Sequence, residues 1–314
     1  MMRPILLAAA AALGSSMSAR AQESPVTLDT KTGTLHGTLL LPAGASGPVP
    51  VALIIAGSGP TDRDGNSPML PGKNNSLKLL AEALGKRGIA SVRYDKRGIG
   101  ASMGAATKES DLRFTTYVDD AAGWLEWLRA DARFSRRIVV GHSEGSLIGA
   151  MAAQRSPVSH VVSLAGAGRP IADVLEEQLA RGLPPALMAD ARRILAELEA
   201  GRTVDSVPQP LLVVFRPSVQ PYMISWLPID PAQEFGRLTV PVLVVQGTAD
   251  VQVTVGDAER LAKGHPRVTL ETIDGMNHVL KEVREASQQT GSYSDPTLPL
   301  HPRLVESITR FVER

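Results

Sequence analysis

The chain has 314 residues, a net charge of +1 and only 4% aromatic residues. This length suits one α/β domain with an insertion. Because basic residues are not clustered and aromatic residues are few, the sequence lacks the charged surface and stacking platforms of nucleic-acid-binding proteins. We therefore expect no nucleic-acid partner.

The N-terminus has the pattern of an export signal. Arg3 supplies positive charge, Ile5 to Leu13 are apolar, and Ala19-Arg20-Ala21 is a small-x-small cleavage site. The alternative, a membrane anchor, is disfavoured because the apolar stretch is much shorter than the roughly 20 residues of a spanning helix. We predict a signal peptide over 1–21 and a mature domain over 22–314, periplasmic or released and without stable membrane insertion. The chain has no cysteine, so its stability must come from the core.

Strands and helices alternate along the mature chain. A β-hairpin is predicted over 26–40, with Lys31-Thr32-Gly33-Thr34 at its turn. The apolar segments that follow predict strands at 51–56, 89–94, 138–140, 160–165, 240–246 and 268–273. Helical periodicity predicts helices at 76–86, 117–130, 146–154, 256–262 and 304–312. Apolar strands separated by helices indicate a doubly wound, mostly parallel α/β sheet.

Two polar loops follow the strand over 51–56. Gly57-Ser58-Gly59-Pro60 lets the main chain approach a ligand closely, although a tight turn alone would need the same glycines. Residues 62–66 (DRDGN) resemble the start of a calcium-binding loop. Calcium is disfavoured because Ser67 replaces the glycine of the sixth position and Lys73 the glutamate of the twelfth. We predict neither a metal site nor a cofactor.

Residues 94–102 (YDKRGIGAS) follow the next strand and have two interpretations. Phosphate binding is disfavoured because Gly98 and Gly100 do not open a nucleotide-binding helix. We favour a buried ion-pair and turn module in which Asp95 and Arg97 hold the loops in register.

Residues 141–145 (GHSEG) are the most informative segment. They follow the β-branched run 138–140 and lead into a small, apolar helix pattern, which is the setting of a nucleophile elbow. Glycines flank Ser143 where side chains would collide in a sharp strand-to-helix bend. The sequence therefore predicts Ser143 as a catalytic nucleophile.

About 70 residues separate the strand at 160–165 from the strand at 240–246, far more than an ordinary connection. Helical periodicity at 173–180 and 185–200 shows that this segment has its own structure. Six prolines divide the remainder, namely Pro208, Pro210, Pro217, Pro221, Pro228 and Pro231. We predict a helical cap over 169–237 above the carboxyl ends of the strands. A packing excursion far from the site is the alternative.

A serine nucleophile in this fold requires an acid and then a histidine, each beyond the end of a later strand. Asp250 and His278 stand in those places. His278 would take the Ser143 proton and return it to the leaving group, and Asp250 would hold the tautomer of the ring. Competing acids and histidines are expected to be structural or solvated, namely Asp257, Asp274, His36, His160, His265 and His301.

The charge that develops on a substrate carbonyl needs preorganised N–H donors. We predict that the backbone amides of Ser58 and Glu144 form this oxyanion hole. Within the insertion, Tyr222, Met223 and Trp226 either line the substrate pocket or form the core of the cap.

Three segments, 57–65, 94–102 and 218–226, carry a resemblance to bacterial secreted serine carboxylesterases of the α/β-hydrolase superfamily. The resemblance covers essentially all of the mature sequence. It implies hydrolysis of short acyl esters through an acyl-enzyme intermediate, without a cofactor, by Ser143, Asp250 and His278. The chain departs from many relatives in having Ala56-Gly57 where they begin the oxyanion loop with His-Gly.

We therefore expect a serine hydrolase that cleaves small-molecule carboxylic esters. The alternative enzyme is an exported serine peptidase of the same fold, resembling an aminopeptidase. A catalytically silent binding protein on this scaffold is a third interpretation, against which the presence of all three triad residues argues.

Overall fold

A computed structural model describes residues 21–106 and 108–314. The predicted signal peptide therefore lies outside the described residues, except for Ala21, and stays a prediction. The described strands are β1 (Gln22–Thr30), β2 (Gly33–Leu41), β3 (Val49–Ile55), β4 (Ala90–Tyr94), β5 (Phe134–His142), β6 (His160–Leu164), β7 (Val242–Gly247) and β8 (Val268–Ile273). They form one eight-stranded sheet.

The described helices lie between and after these strands. They are α1 (Ser76–Gly85), α2 (Phe114–Ala130), α3 (Glu144–Ala153), α4 (Ile171–Ala180), α5 (Pro185–Glu199), α6 (Leu212–Phe215), α7 (Gln220–Trp226), α8 (Pro231–Gly236), α9 (Val255–Lys263), α10 (Gln288–Ser292) and α11 (Pro302–Val312). Within the described ranges, no helix combines the length and the apolar character that crossing a bilayer requires.

The sheet has the strand order β1-β2-β4-β3-β5-β6-β7-β8. The hairpin β1–β2 is antiparallel, β2 runs antiparallel to β4, and all other neighbours are parallel. The chain moves from β3 outward to β4 and then crosses to β5 on the other side of β3. This reversal leaves a crevice beyond the carboxyl ends of β3 and β5, where open α/β sheets bind ligands.

Both faces of the sheet are covered by apolar side chains. Along β3, Leu53 and Ile55 pack on the side of α2 and α3, whereas Ala52 and Ile54 pack on the side of α1 and α11. This alternation follows from the two-residue period of a strand. Because each face buries an apolar layer, the central strand β3 is apolar throughout. The mostly parallel sheet covered on both faces confirms the predicted doubly wound α/β fold.

Five helices, α4 to α8, occupy the long connection between β6 and β7. The two longer ones, α4 and α5, correspond to the helical patterns predicted at 173–180 and 185–200. Prolines stand in the first turn of α7 and α8, where the missing N–H has no helical partner to lose. The prolines of the insertion thus start short helices rather than only breaking them.

Candidate active site

The predicted nucleophile lies at a sharp bend between β5 and α3. Ser143 has φ 53° and ψ −120°, a strained conformation for a residue with a side chain. Its amide donates to the Leu164 carbonyl at 2.8 Å, which fixes the bend to the end of β6. Its side chain is therefore presented at the rim of the sheet, as a nucleophile elbow requires.

The glycines on either side of Ser143 are explained by close backbone approaches. A Cβ atom on Gly141 would lie 2.2 Å from the Gly145 carbonyl oxygen. A Cβ atom on Gly145 would lie 2.3 Å from the carbonyl oxygen of Ile55. Backbone atoms cannot move aside as a flexible side chain can, so both positions require glycine.

His278 and Asp250 meet beyond the ends of β8 and β7. The His278 Nδ1–H donates to Asp250 Oδ2 at 2.8 Å, and both side chains are buried. Asp250 Oδ1 also accepts the amides of Gln252 at 2.7 Å and Val253 at 3.0 Å. Burial raises the pKa of the Asp250 carboxyl, but the interaction with His278 and the two amides outweigh it, and the pKa lies below its usual range. The carboxylate is thus suited to orienting an imidazole.

The competing acids have structural roles. Asp257 is fully buried and forms a capping box with Thr254 at the start of α9, and it also accepts two hydrogen bonds from the Arg169 guanidinium. Asp274 accepts a hydrogen bond from the Thr248 hydroxyl and shapes the turn after β8. Neither carboxylate contacts His278 in the described part of the chain.

The competing histidines also lie in structural positions. His265 bonds to the Leu238 carbonyl, and the His301 Nδ1 accepts the Arg303 amide at the start of α11. His160 bonds to the adjacent Ser159 hydroxyl at the start of β6. His36 lies within β2, where its main chain bonds to Ser102 and to the Asp95 amide.

His142, which the sequence analysis left without a role, brings the predicted base to the elbow. Its Nε2–H donates to the His278 carbonyl at 2.8 Å, and the two ring centroids are 4.9 Å apart. Burial and the neighbouring His278 lower the pKa of His142 to about 4, so the ring is neutral near pH 7. Among the described residues, no direct hydrogen bond joins the Ser143 hydroxyl to His278. Such catalytic hydrogen bonds are commonly long in unliganded sites and tighten with substrate.

The predicted oxyanion loop passes directly beside Ser143. Strand pairing places Ile55 of β3 opposite Gly141 of β5. Gly57 lies two residues beyond Ile55 and Ser143 two residues beyond Gly141, so the two segments leave the sheet side by side. A Cβ atom on Gly57 would lie 3.2 Å from the Ser143 Cβ, which leaves the loop little room for any other residue. Across the described chain, the amides of Ser58 and Glu144 donate to no protein acceptor. Both remain available to a ligand, as donors of an oxyanion hole must be.

The Glu144 side chain forms a buried network that sequence reasoning missed. Its Oε2 lies 2.5 Å from Lys96 Nζ, and its Oε1 accepts the Tyr222 hydroxyl at 2.5 Å. Lys96 Nζ also donates to the Gly57 carbonyl at 2.6 Å. The network therefore joins the elbow, the oxyanion loop and helix α7 of the insertion.

The three predicted pocket residues lie on α7 and belong largely to its packing. Tyr222 and Met223 are buried. Tyr222 and Trp226 form an aromatic cluster with Phe114 and Tyr117 of α2, with ring centroids 5.4 to 6.1 Å apart. This cluster seats α7 of the insertion on α2, which lies outside the insertion. A role of the three residues in lining the substrate pocket stays a prediction.

Asp95 and Arg97 hold loops in register, but not by pairing with each other. Asp95 accepts both the amide and the guanidinium of Arg63 at 2.8 Å, and it also accepts the Ala101 amide. Arg97 makes a two-bonded pair with Asp120 of α2. The ion-pair and turn module of 94–102 thus has partners that only the fold could supply.

Asp62 organises the polar loop by accepting the backbone amides of Asp64 and Asn66 at 2.9 Å. Burial raises the pKa of its carboxyl. In the described chain, no group of three or more His, Asp or Glu side chains is arranged to hold a metal ion.

Comparison with known protein sequences gives a family match and a match to a curated relative. The family described as serine aminopeptidase, S33, matches residues 73–212. Esterase EstD of Thermotoga maritima is 31% identical over 249 residues, which make up 78% of this chain and 58% of EstD. The chain thus spans little more than half the length of this curated relative.

Solved structures share the whole fold. Est1E from Butyrivibrio proteoclasticus, with ferulic acid bound, has a TM-score of 0.62 and 18% identity, and the match covers 92% of this chain and 100% of that one. The α/β hydrolase GrgF from Penicillium sp. sh18 has a TM-score of 0.60 and 18% identity, covering 93% and 100%. Together with the strand order and the elbow geometry, these matches identify the fold. The chain therefore has the α/β-hydrolase fold.

Proposed function

We propose that the protein is a serine hydrolase that cleaves small carboxylic esters through an acyl-enzyme intermediate. The observation that carries the proposal is the His278–Asp250 hydrogen bond of 2.8 Å. The His278 ring of this pair lies 4.9 Å, centroid to centroid, from the ring of His142, the residue that precedes the strained Ser143. The three side chains come from loops after β8, β7 and β5, in the chain order of this fold.

In this mechanism Ser143 attacks the ester carbonyl while His278 Nε2 takes its proton. The oxygen of the tetrahedral intermediate accepts the Ser58 and Glu144 amides, and His278 then returns the proton to the leaving alcohol. Water repeats the sequence on the acyl-enzyme and releases the acid. Asp250 keeps the Nδ1 proton in place and stabilises the imidazolium in both halves of the reaction.

Similar proteins support an ester substrate. EstD is named an esterase, and Est1E was solved with ferulic acid bound. The matching family is named for aminopeptidases, so a peptidase is the second candidate. An aminopeptidase needs a carboxylate to hold the substrate ammonium group. The Glu144 carboxylate, which belongs to the residue after Ser143, is already paired with Lys96, and this favours an ester over a substrate with an ammonium group.

A substrate panel tests the proposal. The purified mature protein is assayed on p-nitrophenyl esters of acetate to octanoate and on aminoacyl and peptidyl p-nitroanilides, each with and without EDTA. We expect ester turnover that is insensitive to EDTA. The variant Ser143→Ala should lose nearly all turnover and all labelling by a fluorophosphonate. Labelling that persists in this variant would refute the assignment of Ser143, and faster turnover of anilides than of esters would favour the peptidase.

We also propose that the protein is exported, on the strength of the charged, apolar and small-x-small pattern over 1–21. Expression of the full chain in a Gram-negative host, followed by cell fractionation and N-terminal sequencing, tests this. The expected product begins at Gln22 and leaves the cytoplasm. An uncleaved cytoplasmic product would contradict the proposal.

A further inference from the structure

Lys96 is a buried lysine at the end of β4, with only 1% of its side chain exposed. Its ammonium group has two hydrogen-bond acceptors and lies over an aromatic ring. Its Nζ donates to Glu144 Oε2 at 2.5 Å and to the Gly57 carbonyl at 2.6 Å, and it lies 5.1 Å from the centre of the Tyr117 ring. Burying a lysine charge costs free energy unless the charge is paired. A lysine in this position therefore has a role other than that of a solvated surface charge.

The bond to the Gly57 carbonyl fixes one peptide plane beside Ser143. In a trans peptide, the C=O of one residue and the N–H of the next point in opposite directions. Because Lys96 holds the Gly57 oxygen towards the protein interior, the Ser58 N–H must point away from it. Gly57 is buried whereas Ser58 is exposed, so this N–H points towards the open crevice at the elbow.

Glu144 ties the same lysine to the second predicted donor. Its backbone amide begins α3 and its carboxylate holds Lys96, so one residue links both sides of the oxyanion hole. The second carboxylate oxygen accepts the Tyr222 hydroxyl from the cap. Burial and the adjacent Glu144 raise the pKa of Tyr222 well above its usual value, so the phenol stays protonated and remains a donor.

We propose that Lys96 and Glu144 are positioning residues that set the direction of the Ser58 N–H in the oxyanion hole. The inference rests on the proposed function, since it assigns a role within ester hydrolysis. Because the Lys96 side chain is buried and bonds to the Gly57 carbonyl, its proposed effect on the reaction passes through the Gly57–Ser58 peptide.

The test separates charge balance from peptide orientation. Lys96→Met leaves Glu144 buried without its cation, whereas the double variant K96M/E144Q also removes that charge. If Lys96 serves only to neutralise Glu144, the double variant should recover both stability and activity. If Lys96 orients the oxyanion loop, stability should recover while activity stays low.

Each variant is measured for its urea midpoint, for kcat and KM on a p-nitrophenyl ester, and for inhibition by a trifluoromethyl ketone. This inhibitor forms a tetrahedral adduct that places an oxyanion in the hole. Loss of a whole oxyanion donor costs about 10²–10³-fold in kcat. For K96M/E144Q we expect kcat to fall about 10- to 100-fold, with KM changed less than about threefold. The inhibitor should lose affinity in parallel with kcat/KM.

Two matched variants complete the design. Glu144→Gln keeps the Lys96–Gly57 bond and should lose less activity than K96M/E144Q. Arg93→Met removes another buried cation of the same strand region, one that pairs with Asp64 and Glu23 and has no contact with Gly57 or Glu144. It should lower the urea midpoint without weakening the inhibitor.

The outcomes are distinct. If K96M/E144Q is as active as the wild type, the inference is wrong while the proposed function stands. Absence of ester turnover in the wild type would instead refute the proposed function itself. If K96M/E144Q does not fold, K96L/E144Q replaces it, because leucine also lacks a donor for the Gly57 carbonyl but fills the buried space with a different shape. Full activity in that variant would equally overturn the inference.

Discussion

Replacing Asp250 by Asn should lower kcat because the surroundings of the carboxylate dictate how the amide can lie. Asp250 Oδ1 accepts the backbone amides of Gln252 and Val253, and neither of these donors can become an acceptor. The oxygen of the new amide must therefore stay there. Its NH₂ group then takes the place of Oδ2, which in the wild type accepts from His278 Nδ1 and Gln246 Nε2.

An NH₂ group in that place forces His278 into the wrong tautomer. Nδ1 must accept the new N–H, so the single proton of the neutral ring moves to Nε2, and Nε2 can no longer take the Ser143 proton. The loss of the correct tautomer costs up to about 10⁴-fold in kcat. This is about 5.5 kcal/mol of activation free energy, at about 1.36 kcal/mol for each factor of ten.

The assay compares Asp250→Asn with Asp257→Asn on the same p-nitrophenyl ester. Asp257 is a matched control because it is also a buried aspartate in the segment that follows β7, but it lies in the first turn of α9 and pairs with Arg169. We expect Asp257→Asn to lower the Tm while kcat stays within about tenfold of the wild type. An Asp250→Asn effect smaller than tenfold, or smaller than that of Asp257→Asn, would refute the assignment of the acid.

Two further predictions concern the elbow. Gly57→Ala should lower kcat/KM about tenfold or more, because the new Cβ would press on Ser143 and His142. In the control Gly59→Ala the new Cβ meets open space, so this variant should lose only about 1 kcal/mol of folding stability, for its positive φ. Equal kcat/KM in both variants would contradict this prediction. The pKa of His142 is about 4 in the folded protein, against about 6.5 in the unfolded chain. Its contribution to folding stability, about 3 kcal/mol, is therefore present above pH 6.5 and is lost as the pH falls towards 4. The urea midpoint of His142→Phe should therefore change less between pH 7.5 and 4.5 than that of the wild type, and an equal change would show that His142 does not carry this acid sensitivity.

The positions of the proposed triad residues could be predicted because each depends on local sequence and chain order. Ser143 sits in a motif whose glycines are required by backbone contacts, and Asp250 and His278 follow apolar strands that periodicity reveals. Parallel pairing then brings the ends of those strands to one edge of the sheet. None of these steps needs knowledge of a side-chain contact.

Element boundaries were less predictable, because tertiary pairing overrides local pattern. The apolar pattern predicts β5 only over 138–140, yet the strand runs from Phe134 to His142. Its first half contains Ser135, Arg136 and Arg137, which do not form an apolar run. Pairing with β3, with Phe134 opposite Val49, extends the strand through these polar residues.

The partners of buried polar groups could not be predicted at all. Lys96 meets Glu144 from 48 positions away, and Tyr222 reaches the same carboxylate from 78 positions away. The sequence predicts one module for Asp95 and Arg97, but Arg97 pairs with Asp120 of α2. Composition and periodicity carry no information about such contacts, because they depend on how the loops and helices meet above the sheet.

His142 and Glu144, on either side of Ser143, therefore have separate structural roles that the G-x-S-x-G pattern does not describe. His142 supports the loop that carries His278, and Glu144 supports the lysine that holds the Gly57 carbonyl. Breaking a buried ion pair from one side costs about 3–5 kcal/mol, because it leaves an uncompensated charge in the interior. A relative that lacks a basic residue at the place of Lys96 should hence also lack an acid at the place of Glu144. The oxyanion loop of such a relative would need another donor to the Gly57 carbonyl, since the direction of the following N–H depends on it.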